Sequence, residues 1–170
     1  MGISLGLLIG LMLMPWGCRS GPNKAIFEPG QEVEVLETNV DSAGATLLVG
    51  LMDSPLDGVR VEIPKDALPQ RLLVRLQYNT GKFKPVSGIP SGVIASLSAG
   101  DLRQFRKVVK IEVHYDAKRF ANMVVVGFAI GPTGRVSGFQ LLSQDQKAGT
   151  AIFATLVPVQ FTWIYVPLAF

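Results

Sequence analysis

The sequence predicts an all-β protein, folded as a two-sheet antiparallel β-sandwich of about nine or ten strands. Apolar and polar residues alternate in several short segments, most clearly at 59–63, where Val59, Val61 and Ile63 alternate with Arg60 and Glu62. Turn-forming residues separate these segments, and the 18 glycines and 11 prolines are scattered without a period. Because no segment shows the 3.6-residue period of an amphipathic helix, we expect no helix in the folded domain.

The segment 59–68 sets the register of the predicted sheet. Pro64 cannot donate a hydrogen bond to a neighbouring strand, so the strand is expected to end there. Ala67 and Leu68 follow, and we expect them to fold back under the sheet as an apolar plug. A slip of one residue would bury Arg60 and Glu62, so the alternation allows only one register.

The same signals locate the other elements in chain order. Residues 18–31 contain several glycines and prolines and are predicted to form a tether. Segment 45–52 is mostly apolar, which predicts a buried strand. Residues 81–90 are predicted to be a long loop, and loops on a rigid sandwich commonly carry recognition. The predicted strands are 32–38, 45–52, 59–63, 71–78, 93–97, 109–115, 123–130, 136–142, 150–156 and 161–166.

The composition limits the function classes. The chain has 170 residues, a net charge of +3 and one cysteine, Cys18, so no intrachain disulfide can form. Four cations cluster at Arg103, Arg106, Lys107 and Lys110, but aromatic residues do not interleave with them in a nucleic-acid pattern. This pattern predicts a solvated strand edge and no nucleic-acid partner.

The N-terminus has the features of a secretory leader. Residues 2–14 form an uncharged apolar run that spans roughly 20 Å as a helix, short of the ~30 Å hydrocarbon core of a bilayer. The run is typical of a signal peptide. The small residue Gly17 before Cys18 resembles the lipobox of bacterial lipoproteins, which implies cleavage after residues 1–17 and diacylation of the Cys18 sulfur. Arg19 after the cysteine implies release to the outer membrane, and secretion or an uncleaved anchor are the alternatives.

The body of the chain, residues 32–170, resembles the ZU-type β-sandwich domain of netrin receptors, ankyrins and a zonula occludens protein, which also occurs in bacterial envelope proteins. A strand ending in Val-x-Ile-Pro is followed by Ala67 and Leu68, and Phe-Arg-Lys-Val-Val-Lys-Ile-Glu-Val-His-Tyr-Asp stands later in the chain. The match covers about 44–166. Its best residues are Ile63, Pro64, Ala67, Leu68, Phe105, Val109, Tyr115 and Asp116.

Some members of that family cleave themselves at His-Phe-Ser near the last strand. The corresponding residues here are Gln160, Phe161 and Thr162. Thr162 has a hydroxyl that can attack the preceding carbonyl, but Gln160 cannot accept a proton as a general base does. The sequence therefore predicts a degenerate motif and no self-cleavage.

Other catalytic or metal-binding patterns are weak. The single histidine, His114, has the strand phase of the polar face, beside Glu112 and Asp116, and the Gly-x-Ser-x-Gly motif of a nucleophile elbow is missing. No Cys/His spacing suits zinc. We predict no catalytic residue, no metal site and no cofactor.

The sequence thus predicts a non-catalytic envelope lipoprotein that binds the membrane through lipid on Cys18. Its sandwich would serve as a binding or scaffold module for a protein or glycan of the envelope. A sandwich-based hydrolase or self-processing domain is the first alternative. A small outer-membrane β-barrel is the second, since the chain ends in the aromatic Phe170 and eight strands fit its length.

Overall fold

The computed structural model describes residues 25–168, which form twelve β-strands and no helix. The predicted all-β class is confirmed. All ten predicted strands are found, and two short strands are additional. The strands are β1 (Ile26–Glu28), β2 (Glu32–Val40), β3 (Ala45–Leu48), β4 (Arg60–Ile63), β5 (Leu72–Asn79), β6 (Lys82–Lys84), β7 (Ile89–Ala99), β8 (Val109–His114), β9 (Met123–Ile130), β10 (Val136–Asp145), β11 (Thr150–Thr155) and β12 (Val159–Pro167).

Ten of the strands form one antiparallel sheet in the order β2-β5-β7-β12-β9-β10-β11-β8-β4-β3. Strand β10 joins its two halves, because residues 136–139 pair with β9 and residues 140–145 pair with β11. We call β2, β5, β7, β12, β9 and the first half of β10 the front layer. The second half of β10 with β11, β8, β4 and β3 is the back layer. The two layers pack face to face as a sandwich.

Aromatic side chains fill the space between the layers. The rings of Phe139 and Phe153 stack with their centroids 5.2 Å apart, and Phe161 lies 5.2 Å from Phe139. Gly127 on β9 faces this cluster, and a Cβ at that position would lie 2.5 Å from a ring carbon of Phe153. Only glycine therefore allows the front layer to approach Phe153 so closely.

Strand β4 has the predicted orientation. Val59, Val61 and Ile63 are buried, while Arg60 is exposed. The strand ends before Pro64, and Ala67 and Leu68 are buried against the same core. The Ala67 carbonyl accepts a hydrogen bond from the Arg106 backbone N–H at 2.9 Å, which ties the plug to the segment before β8.

The two additional strands, β1 and β6, pair with each other as a separate two-stranded sheet, which we call the β1–β6 ribbon. Its Phe83 packs on Ile94, Ile130 and Ile164. Ile164 stands between two residues of the main core in β12, so this second cluster lies on the outer side of the front layer. The ribbon covers part of that side.

The ribbon corrects two predictions. Residues 26–28 of the predicted tether 18–31 are a strand, and residues 82–84 of the predicted loop 81–90 are its partner. Three-residue strands are too short to show a period, and their stability comes from Phe27 and Phe83 packing on the front layer. The predicted leader 1–17 and Cys18 lie outside the described residues.

The predicted buried strand 45–52 is also wrong in extent and burial. Strand β3 ends at Leu48 and is the edge strand of the back layer. Leu48 is exposed because it points to the outer side of β3, and Leu51 and Met52 are exposed in the turns that follow the strand. Within residues 25–168 no helix is long and apolar enough to cross a membrane.

Candidate binding groove on the front layer

An open groove of about 1020 Å³ crosses the front layer beside the β1–β6 ribbon. Every strand of the front layer contributes to its lining, from Glu32 on β2 to Ser137 on β10. Those two strands are separated by five interstrand spacings, which at about 4.8 Å each makes the groove roughly 24 Å long. This length suits an extended chain better than a compact small molecule.

The floor of the groove contains outward-facing polar residues of the central strands. Ser96 on β7 lies directly opposite Gln160 on β12, and Gln160 lies opposite Ile130 on β9. Leu97 and Phe161, the next residues in the two strands, are in the core. Because side chains alternate along a strand, Ser96 and Gln160 point away from the core and into the groove.

Many polar side chains of the groove are free to bind a ligand. A polar group that is half-buried and unpaired gains more from a ligand hydrogen bond than one already paired within the protein. Among residues 25–168, no hydrogen-bond or ion-pair partner is present for the half-buried side chains of Ser96, Ser98 and Gln160. The same holds for the exposed side chains of Glu32, Thr133, Arg135 and Ser137.

Hydrogen bonds tie the chain at both ends of the groove. Asn79 is buried, and its Oδ1 accepts hydrogen bonds from the Gly30 and Gly81 backbone N–H groups, each at 2.8 Å. This side chain joins the β1–β2 and β5–β6 connections. On the opposite side, the Gly134 N–H donates to the Gly131 carbonyl at 2.8 Å and closes the β9–β10 turn. The groove is therefore preformed.

The groove is electrically balanced. Glu32 and Arg135 are its charged residues, one of each sign, and they belong to strands or turns at opposite ends. Hydroxyl and amide groups supply the rest of its polarity. Such a lining favours a neutral or zwitterionic polar ligand over a strongly charged one.

The three residues of the degenerate self-cleavage motif lie on both sides of β12. Phe161 lies in the core, while Thr162 is 1% exposed on the other side of β12. The Thr162 hydroxyl donates to the Val93 carbonyl at 2.6 Å and lies 3.4 Å from Ser91 Oγ. Gln160 lines the groove, and no histidine of the described chain stands near it, since His114 is on the back layer.

His114 is exposed, as its strand phase predicted. Its side chain is 47% accessible, and Nε2 lies 3.3 Å from Glu112 Oε1 on the same face of β8. Asp116 is engaged elsewhere, because its Oδ1 accepts the Lys118 and Arg119 backbone N–H groups, each at 3.0 Å. Asp116 is therefore not paired with His114.

Trp163 and Tyr165 on β12 are buried and serve the core. Trp163 Nε1 donates to Tyr165 Oη at 3.0 Å, and the Tyr165 ring stacks on Phe120 with centroids 3.6 Å apart. Burial raises the pKa of the Tyr165 hydroxyl, and the hydrogen bond from Trp163 partly opposes this rise. Neither ring is available as a platform for a sugar.

The cationic cluster is partly paired. Lys107 Nζ lies 3.5 Å from Asp66 Oδ2, and Lys110 Nζ lies 3.5 Å from Glu62 Oε2. These are exposed pairs of the kind expected on a solvated sheet face. Residues 25–168 contain no group of three or more His, Cys, Asp or Glu side chains placed to hold a metal ion.

Comparison of the chain with models of known protein families and with curated proteins finds no match. The resemblance to ZU-type domains thus stays a prediction. The groove itself was missed from the sequence, because Ser96 and Gln160 belong to strands that are distant in the chain. The one local sign of the groove is a polar residue at an outward position between core residues. An ordinary strand with one face in water shows the same pattern.

Proposed function

We propose that this protein is a non-catalytic envelope lipoprotein, anchored by lipid on Cys18, whose β-sandwich is a ZU-like binding module. The lipobox-like Gly17-Cys18 after an apolar run supports the anchor, and Arg19 supports the outer membrane as its location. The burial of Ile63, Leu68 and other residues that carry the ZU resemblance is in keeping with a sandwich core of that kind.

The observation that carries the binding role is the groove, in which unpaired polar side chains of several strands converge on one preformed surface. Binding sites typically combine apolar walls with a few placed polar groups. Here Pro29, Pro132 and Pro158 supply apolar surface, and the serines with Gln160 supply donors and acceptors. We propose that the ligand is an extended glycan, whose many hydroxyls match a neutral lining of hydroxyl and amide groups.

Binding is tested with Gln160→Ala, which removes an unpaired amide from the floor of the groove. Loss of one or two ligand hydrogen bonds is expected to lower affinity for an envelope glycan about tenfold, or ~1.4 kcal/mol. Gln140→Ala is the matched control, since Gln140 is an exposed glutamine of β10 outside the groove. Isothermal titration against purified envelope polysaccharides and against an envelope peptide library gives the readout.

Three outcomes of that titration are distinct. Glycan binding that weakens only in Gln160→Ala supports the proposal. If only peptides bind, the ligand is a protein and not a glycan. Equal loss of affinity in both variants, or no binding at all, rejects the groove as the site.

The non-catalytic role is supported by the hydrogen bond that the Thr162 hydroxyl donates to the Val93 carbonyl. A hydroxyl nucleophile needs a base within hydrogen-bond reach. We therefore expect the chain to remain intact from Cys18 onward during prolonged incubation. A fragment beginning at Thr162 in an intact-mass spectrum would refute this.

The anchor is tested by metabolic labelling with palmitate. The wild-type chain is expected to take up label and to fractionate with the outer membrane, whereas Cys18→Ser does neither. Label that persists in Cys18→Ser would place the acyl chain elsewhere and reject the anchor at this residue.

A further inference from the structure

The β1–β6 ribbon begins close to the proposed lipid anchor. Cys18 precedes Ile26 by eight residues, and this connection spans about 27 Å at most when fully extended. A domain the size of residues 25–168 has a radius of gyration of about 15 Å, so it is roughly 40 Å across. The connection is shorter than the domain, and the side of the domain that carries β1 must therefore stay near the membrane.

That side carries exposed apolar residues. Ile26 on β1 is 53% exposed, and Val86, which follows β6, is 56% exposed. Gly88, two residues after Val86, sits over Ile164 and Val166, so this loop extends the surface of the ribbon along the outer side of the front layer. Clustered apolar side chains of this kind commonly mark a contact surface.

The same surface carries an excess of positive charge. Lys82 and Lys84 point outward, because Phe83 between them points inward to the second cluster. Lys84 Nζ lies 2.6 Å from Glu28 Oε1, and this hydrogen bond lowers the pKa of Glu28. Glu28 therefore compensates only one of the two lysine charges, and the other positive charge remains. Apolar residues beside lysines are typical of surfaces that rest on anionic lipid.

The back layer has another exposed apolar cluster, and most of its charged neighbours are acidic. Leu48, Leu51 and Met52 form it, Arg60 lies opposite Leu48 and Glu112, and Asp53 and Asp57 are exposed beside it. Carboxylates are repelled by anionic lipid headgroups, so charge complementarity favours the ribbon surface over this cluster.

We propose that the surface formed by Ile26, Lys82, Lys84 and Val86 lies against an anionic lipid bilayer in the anchored protein. This inference rests on the proposed lipid at Cys18. It places the groove next to the membrane, because Phe27 of the ribbon and Pro29 line the groove.

The test uses the mature lipidated protein in vesicles of phosphatidylcholine with about a third phosphatidylglycerol. In that protein the Cys18 sulfur is acylated, so a new cysteine is the one free thiol. Val86→Cys and, as the matched control, Met52→Cys each receive an environment-sensitive fluorophore. Brominated lipids then report by quenching which label lies at the bilayer. Intact mass establishes diacylation of each preparation.

We expect the Val86 label to be quenched at least threefold more than the Met52 label. Lys82→Gln with Lys84→Gln is expected to weaken that quenching at least twofold on anionic vesicles, and to change it little on phosphatidylcholine alone, since surface charge acts only on anionic lipid. Equal quenching of the two labels, or stronger quenching at Met52, in diacylated protein overturns the docking surface and leaves the anchor intact. If the mass spectra show that Cys18 is not diacylated, the anchor and the docking surface are both rejected.

Discussion

The two layers of the sandwich expose different outer faces. On the back layer, Arg60 lies opposite Glu112, and Glu62 lies opposite Lys110, so charges of opposite sign face each other across the strands. On the front layer, Ile94, Ile130 and Ile164 lie at outward positions and are covered by the ribbon. A sheet face that carries isoleucines needs a cover, and one that carries paired charges does not.

The difference assigns roles to the two faces. The back layer meets water through exposed ion pairs that contribute little to stability. The front layer joins the ribbon, the groove and the proposed membrane surface on a single side. Function is therefore expected to be sensitive to changes on the front layer, and the back layer's outer side to tolerate substitution.

The largest expected effect is in the core that both layers share. Phe153→Ala is expected to lower the free energy of unfolding by about 4 kcal/mol, because Phe153 is fully buried and packs on Phe139 and Gly127. Urea denaturation measures this loss. Phe83→Ala is the comparison variant, and it is expected to speed hydrogen exchange in the ribbon while β8 and β11 keep their protection. Equal loss of protection in all these strands would show that ribbon and sandwich unfold as one unit.

A smaller effect is expected at the connection between ribbon and front layer. Asn79→Ala removes the acceptor of two backbone hydrogen bonds and is expected to cost about 2 kcal/mol. Amide exchange at Gly30 and Gly81 should rise most. Asn39→Ala, at an exposed position of β2, is the control and is expected to change stability by less than about 0.5 kcal/mol. Similar costs for both variants would argue against a special role of Asn79.

Tyr165 is expected to make stability depend on alkaline pH. Its pKa is raised in the folded state by burial, so the folded chain keeps the neutral phenol after the unfolded chain begins to ionise near pH 10. Stability is thus fully present below about pH 10 and falls as the pH rises further. Between pH 8 and 11, the urea midpoint of unfolding should fall less steeply with pH in Tyr165→Phe than in the wild-type chain. Identical slopes would show that other groups cause the decline.

The smallest effect is expected on the outer side of the back layer. Lys110→Gln and His114→Ala should each change the free energy of unfolding by less than about 0.5 kcal/mol, because both side chains are about half exposed and their ion pairs are solvated. Glycan binding should also be unchanged. A loss of more than about 1.5 kcal/mol in either variant would contradict the contrast between the two outer faces.

Much of the fold was predictable because the alternation of single residues is local. Val59, Val61 and Ile63 have their predicted orientation, and strand β9 has its predicted bounds of 123–130. The ribbon was not predictable, since β1 and β6 have three residues each and gain their stability from contacts with Ile130 and Ile164 far along the chain. The groove was not predictable for the same reason.

The sequence by itself determined the all-β class and the side of an alternating strand such as β4 that faces the core, because a period of two residues depends only on neighbours in the chain. Only the tertiary structure decided that β10 divides the sheet into two layers, that β1 pairs with β6, and that Ser96 and Gln160 meet in one groove. Those arrangements depend on pairing and packing between distant segments. A local sequence pattern does not reveal the free energy of such contacts.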